Sequence, residues 1–292
     1  MTNDAATSST ALPPPARHEE RARCSGRVRD SWLGAFVRRW LPSGVLLALL
    51  VVLWQAASST GLVEEYVLPG PLAVAESMVA DADRYWEASV PTLSAITLGF
   101  VLSVLIAVPI AIGMVYSTIF ERALYPLLVL SQVVPKVAIA PLFIIWFGFG
   151  DPPKILMVVL ISFFPLVIDA AVGFHAARPE SLMLVRSMGA SRWQAFWKIR
   201  FPWALPSIFA GAKVAITLAV VGAVVAEFVG ADQGLGVLIT QARGNLDTVT
   251  VFAGIGYLSI LGLVLFAGVG LLERLLVRGS RSGRAFEAAG GL

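Results

Sequence analysis

Four ionisable residues lie inside long apolar stretches of this 292-residue chain: Lys136, Asp169, Lys213 and Glu227. A charge at mid-bilayer depth costs about 2.5–3.5 kcal/mol on insertion scales, so each needs a partner, a wet cavity or a route to the interface. Lys136 is the deepest. Gln132 stands one turn before it and Pro135 frees a backbone carbonyl beside it, which together make a polar face suited to an anionic or polar solute. An ion pair of Lys136 with Asp169 or Glu227 is the competing role. Asp169 and Lys213 fall nearer the ends of their stretches, within reach of an interface. Glu227 precedes "GADQGLG", whose glycines permit a tight or re-entrant turn suited to an outer gate, or a plain interfacial loop.

Covalent chemistry finds little support. The two histidines, His18 and His175, are too few and too distant in sequence for a metal or acid–base site, and no metal ligand is assigned. A single cysteine, Cys24, allows neither a disulfide framework nor a thiolate cluster within one chain. No G-x-x-x-x-G-K-[ST] loop occurs, so the chain cannot itself cradle a nucleotide phosphate, and no clustered constellation marks a membrane enzyme or a catalytic residue.

A second unusual segment is "SMGASRWQAFWKIRFPWALPS", Ser187 to Ser207, which lies between two apolar runs yet carries Arg192, Lys198, Arg200 and three tryptophans. Ser191 with Gln194 three residues on forms a capping-box signature. Gly189 permits a positive φ that separates this helix from one over 179–188, and Pro202 is expected to end it. Trp193, Phe196, Trp197 and Arg200 share the i, i+3, i+4, i+7 face. Two readings stay open on these grounds: an interfacial helix with aromatic anchors on headgroups, or a rigid knob presented to a soluble partner.

The elements that must position these residues follow from composition. With 57% hydrophobic and 14% charged residues and a mean hydropathy of +0.80, the chain reads as an integral membrane protein, not a soluble domain, which carries about a quarter charged residues. Six stretches approach the roughly 20 apolar residues that cross a bilayer: 41–59, 92–116, 123–149, 155–174, 204–230 and 249–272. Residues 1–40, rich in Ser, Ala, Pro and Arg, read as a flexible basic tail too charged for a secretory signal, so the first span is expected to stay as an anchor. Residues 41–275 form the membrane domain, with a loop over about 175–203, and 276–292 a second tail. Seventeen basic residues fall in the tails, near Arg122 and in the 175–203 loop, against three (Arg84, Lys154, Arg243) in the opposite connections. The positive-inside rule then places both termini and the Ser187–Ser207 segment in the cytoplasm. The pI of about 9.2 reflects this distribution and not nucleic-acid binding.

Prolines interrupt several spans: Pro109 in the second, Pro165 in the fourth, and Pro126, Pro135 and Pro141 in the third. Each removes a backbone donor, and three in one span point to a helix that lines something. Counted along a straight third span, Lys136 stands roughly 20 Å from its start.

The spacing Gly189, nine residues, Ile199, one residue, Phe201-Pro202 resembles the cytoplasmic signature loop of bacterial ABC-importer permeases: Glu-Ala-Ala, three residues, Gly, nine residues, Ile, one residue, Leu-Pro. Met183-Leu184-Val185 stands where that pattern has Glu-Ala-Ala, and Phe201 where it has Leu. "YVLPGPLAV", "SQVVPKVAIAPLFIIWFGFGDPPKI", "GASRWQAFWKIRFPWALPSIFAGAKVA" and "VVAEFVGADQGLGVLI" look like the nitrate/sulfonate/taurine branch, which includes importers of thiamine-precursor pyrimidines; the stretch "AVVGAVVAEFVGADQGLG" looks slightly closer to those precursor importers.

The resemblance implies an all-α type I-like permease of about six spans in the bacterial inner membrane, paired as a homodimer. It implies that Gly189, Ala190, Ser191, Trp193, Phe196, Ile199 and Pro202 couple to a separate cytoplasmic ABC ATPase, which holds ATP and Mg while this chain holds no cofactor. It also implies an extracytoplasmic solute-binding protein as a further partner. Gln132, Lys136 and Glu227 are the expected pathway residues. The alternative is a secondary transporter of small polar or anionic solutes, which would show ion-coupling groups or inverted repeats.

Overall fold

The structure, a computed structural model, describes residues 32–60, 64 and 66–277, with side chains from Leu41 onward. Its secondary structure is helical throughout the described residues. Of the expected tails over 1–40 and 276–292, residues 1–31 and 278–292 lie outside them, while 32–40 and 276 are helical.

Two compact units divide the chain, Met1–Trp54 and Gln55–Leu292. Helix α1, Trp32–Ser59, begins nine residues before the expected span. Its extra residues include Arg38 and Arg39, too polar to count toward a hydrocarbon crossing. Within the first unit, Leu46, Leu47, Leu50 and Leu53 are exposed, as a lipid-facing helix requires.

The second unit contains a short helix α2 (Pro71–Ala80) and the long α3 (Ala82–Tyr116). The helices α4 (Thr118–Val133) and α5 (Ala140–Phe147) follow, joined by a 3₁₀ turn over Lys136–Ile139. After them come α6 (Asp151–His175), α7 (Pro179–Ser187), α8 (Arg192–Ala195), α9 (Phe201–Gly230), α10 (Leu235–Gly244) and α11 (Thr248–Leu276). Among the described residues five helices are long and apolar enough to cross a membrane, and α4 with the Lys136–Phe147 segment forms a bent pair, which makes six if the pair is one span.

Helix α6 is the central element, packed between α3 and α9. Water does not drive helices together inside lipid, so close backbone approach must. At Val158 it does so from both sides: a Cβ on Gly99 would lie 2.5 Å from the Val158 side chain, and one on Gly222 would lie 3.1 Å from its Cα. Ala204, Ala212, Ala215, Ala219, Ala223 and Ala226 continue the small-residue stripe of α9. Ser103 Oγ of α3 and Ser162 Oγ of α6 share a buried hydrogen bond of 2.7 Å; one hydroxyl donates across it, and the other donates to the carbonyl one turn back in its own helix, Gly99 O for Ser103 or Val158 O for Ser162.

The prolines act unequally. Pro109 and Pro165 sit inside unbroken helices, as does Pro91. The third span breaks at Pro135, where α4 and the Lys136–Phe147 segment meet at 86°. Pro135 cannot donate to α4, and the residue before a proline is pushed out of the helical region; Val134 has φ −65°, ψ 127°. The straight third span assumed from sequence is therefore corrected, and with it the depth assigned to Lys136.

Candidate functional site

The 176–200 connection begins where α6 ends at His175. Helix α7 closes on Gly189, whose φ of 80° is the positive value expected of it, with Gly189 N–H donating to Arg186 O at 3.0 Å and Ala190 N–H to Val185 O at 3.2 Å. The capping box forms: Ser191 Oγ accepts from Gln194 N–H at 3.2 Å, and Gln194 Oε1 accepts from Ser191 N–H at 2.9 Å. One expectation fails here. Pro202 does not end the helix, because Arg192–Gly230 runs on as one helical span. A widened π turn over Phe196–Arg200, in which Phe201 N–H donates to Phe196 O, makes room for the proline ring that a regular turn would press against the carbonyl four residues back.

The seven residues expected to couple to a partner separate into two sets. Ser191 and Trp193 are exposed, Gly189 lies at the open turn, and Ala190, Ile199 and Pro202 are half-buried. Phe196 is buried at 3% exposure and is no outward contact. Its ring packs 5.6 Å from Phe174 at the end of α6 and 6.1 Å from Tyr116 at the end of α3. Arg200 lies over the same Tyr116 ring at 5.7 Å, and Arg178 lies over Trp203 at 5.8 Å. The aromatic run thus does two jobs. Phe196 seats the turn on the spanning helices, while Trp193, 69% exposed, faces outward.

Lys136 opens the 3₁₀ turn after the break and is half-buried, with its ammonium 5.0 Å from the centre of the Phe164 ring on α6. It forms no ion pair with Asp169 or Glu227, which corrects the competing role considered for it; the ion pairs among the described residues are Lys154–Asp151 and Lys213–Glu273, and His175 Nε2 lies 3.6 Å from a Glu121 carboxylate oxygen. Gln132 is exposed on the last turn of α4, beside the break.

Glu227 stands elsewhere. It is 2% exposed and accepts hydrogen bonds from Thr92 Oγ1 of α3 and Gly236 N–H of α10, each at 2.7 Å. Thr92 Oγ1 accepts in turn from Leu235 N–H at 2.9 Å. Two free N–H groups at the start of α10 are satisfied by side chains from other helices, and the carboxylate sits at the positive end of the α10 dipole. Gly234, φ 136°, lets the chain enter this turn, where a Cβ would strike the carboxylate. Glu227 therefore does not share a surface with Gln132 and Lys136 here.

Sequence reasoning missed α10, although Leu235, Leu238, Ile239 and Ala242 repeat at helical spacing and are all buried. It also missed Thr92, for which no local signal exists, and the burial of Lys154, 3% exposed and 2.7 Å from Asp151. Among the described residues no group of His, Cys, Asp or Glu forms a metal site.

Residues 99–278 match the family described as "Binding-protein-dependent transport system inner membrane component". The chain belongs to this family of transport permeases. Its curated relatives include a riboflavin transport system permease of Chloroflexus aurantiacus, 38% identical over 88% of this chain and 96% of that one. A formylaminopyrimidine transport permease of Halalkalibacterium halodurans is 34% identical over 78% of this chain and 92% of its own. A taurine transport permease of Escherichia coli is 32% identical over 85% and 93%. The fold is shared with a crystal structure of an amino acid ABC transporter with histidines, at a TM-score of 0.51, 18% identity, 69% of this chain and 96% of that chain.

This permease is a multi-pass membrane protein of the ABC-importer type. The bent α4–α5 pair, the 176–200 connection and the Glu227 cluster, Thr92 excepted, all lie within the matched region.

Proposed function

We propose that the permease is one of two identical membrane subunits that form the pathway of an importer in the bacterial inner membrane. A separate cytoplasmic ATPase docks on the 176–200 connection, and an extracytoplasmic binding protein delivers the solute. The permease has both termini in the cytoplasm and holds no cofactor of its own; ATP and Mg belong to the ATPase. The observation that carries this reading is the rigid turn at Gly189. It is fixed by a capping box on one side and by Phe196 on the other, so a push on Trp193 reaches the ends of α3 and α6 through packed rings. Contiguous packing of this kind can carry a small displacement at one site to helices elsewhere.

The solute is a small polar or anionic molecule of the nitrate, sulfonate, taurine or pyrimidine-precursor class, drawn from relatives whose names span riboflavin, formylaminopyrimidine, taurine, aliphatic sulfonates and nitrate. Lys136 supports this, since a half-buried ammonium with no acid beside it favours negative charge or strong acceptors passing along its face. The test is ATP-driven uptake into vesicles holding the permease, its ATPase and its binding protein. Accumulation that requires all three components is expected; uptake by the permease alone, driven by an ion gradient, would instead identify a secondary transporter.

A further inference from the structure

Two charged side chains are buried among the described residues, and their signs are opposite: Lys154, 3% exposed, and Glu227, 2% exposed. They stand on different helices. Close approaches of Val158 to Gly222, Asp169 to Gly211 and Ser207 to Gly173 set α6 and α9 antiparallel in one register, which one turn beyond Val158 puts Lys154 opposite Ala226, the neighbour of Glu227. The charge of Lys154 reaches the Glu227 carboxylate. Lys154 also lies at the end of the first turn of α6, where the helix dipole disfavours a cation. Its partner at 2.7 Å, Asp151, is 68% exposed, and an acid in solvent compensates a buried ammonium poorly.

Glu227 has its own need of a counter-charge. Both its oxygens accept, Oε1 from Thr92 Oγ1 and Oε2 from Gly236 N–H, while Thr92 Oγ1 in turn takes Leu235 N–H. Donors on both sides suit an ionised carboxylate, which has acceptors alone, and such a group out of water is costly unless a cation stands near. We infer that Lys154 is a positioning residue: it neutralises Glu227 across the α6–α9 contact, and the neutral pair holds the start of α10 against α3. Lys154 thereby ties the entry of α6 to the same knot, so that the ends of α3, α6, α9 and α10 gathered there form one body. In the orientation proposed above this is the outer end of the pathway. The neutral pair is a property of this chain alone; only its bearing on uptake rests on the importer role proposed above.

Removing one charge from a buried pair strands the other, whereas removing both is tolerated. In the purified permease, Lys154→Met and Glu227→Gln are each expected to lower the melting temperature and to speed deuterium exchange at the Leu235 and Gly236 amides about tenfold or more. The combined variant is expected to melt above both singles and to slow that exchange again. It can do so because the new amide keeps an oxygen for Gly236 N–H, and Thr92 can turn its hydroxyl to Ala88 O, 3.3 Å away. Losses that add overturn the pairing, as do singles that match the wild type. Asp151→Asn is the control: if it, and not Glu227→Gln, rescues Lys154→Met, then Lys154 answers to the exposed acid and the inference falls. Should a single variant fail to accumulate in the membrane, accumulation of the combined variant supports the pairing and its absence overturns it. In vesicles with the ATPase and the binding protein, uptake should fall with each single and return with the combined variant. A stable combined variant that does not transport overturns the positioning role, since the charges would then be needed in themselves. Wild-type vesicles without three-component uptake would undo the importer role and leave the exchange result standing.

Discussion

Glu227 and Thr92, 135 positions apart in the chain, are joined by a buried hydrogen bond of 2.7 Å, and between them they satisfy the first two amides of α10. Removing either partner leaves buried donors without acceptors. Each of Thr92→Val and Glu227→Ala should lower stability by about 1–3 kcal/mol per orphaned group. The double variant should lose less than the sum, because both act on one network. Thermal unfolding of the purified permease measures this; additive losses would show that the two residues act independently.

Gly189 tests backbone strain separately from packing. Its Cβ position is open, so substitution there costs only the positive φ. Gly189→Val should strain the turn by roughly 1–3 kcal/mol and misplace Trp193, whereas Gly189→Asn, a residue that tolerates this region, should retain most coupling. Solute-stimulated ATP hydrolysis distinguishes the two. Equal activity in both would mean the turn's shape does not matter.

Trp193 and Phe196 should respond in opposite ways despite their common helical spacing. Phe196→Ala empties a buried site against Phe174 and Tyr116 and should destabilise the protein by about 3–5 kcal/mol. Trp193→Ala removes an exposed ring and should change stability by less than about 0.5 kcal/mol while weakening ATPase binding. Melting temperature and ATPase retention, read together, check the division.

At Lys136, the Met and Glu substitutions separate pathway from scaffold. The ammonium has an aromatic ring beneath it and no ion pair among the described residues, so neutralising it breaks no salt bridge. Lys136→Met and Lys136→Glu should assemble with the ATPase yet lose uptake in vesicles. Normal transport by Lys136→Glu would remove Lys136 from the pathway, and failure to assemble would make it structural.

Orientation is checked by labelling. In a background lacking Cys24, a cysteine at Ser191 should resist an impermeant thiol reagent on intact cells and one at Asp83 should react, both positions being exposed. The reverse pattern would invert the topology.

Much of this protein is decided locally, and local features are legible in a sequence. The apolar stretches set the spans because bilayer thickness is fixed. The Gly189 turn and the Ser191–Gln194 capping box are interactions between neighbours in the chain, and both formed as their spacing required. Pro135 announced a break, since a missing donor acts on its own helix. The size of the break, 86° and not a gentle kink, is not legible from Pro135 alone.

Tertiary structure alone decided the rest. Trp193 and Phe196 lie on one helical face and stack at 6.2 Å, yet only the ends of α3 and α6 determine that Phe196 is enclosed while Trp193 stays largely exposed. Pro202 reads as a helix end, but a turn widened upstream carries the helix through it. Glu227 reads as a pathway carboxylate because an intramembrane charge needs a partner. That partner is a hydroxyl on α3 and an amide on α10, which come within 2.7 Å of it only when the helices pack. A hydrogen bond is short-ranged, so a sequence can signal that a buried charge must be satisfied, and only the folded chain brings the satisfying groups to it.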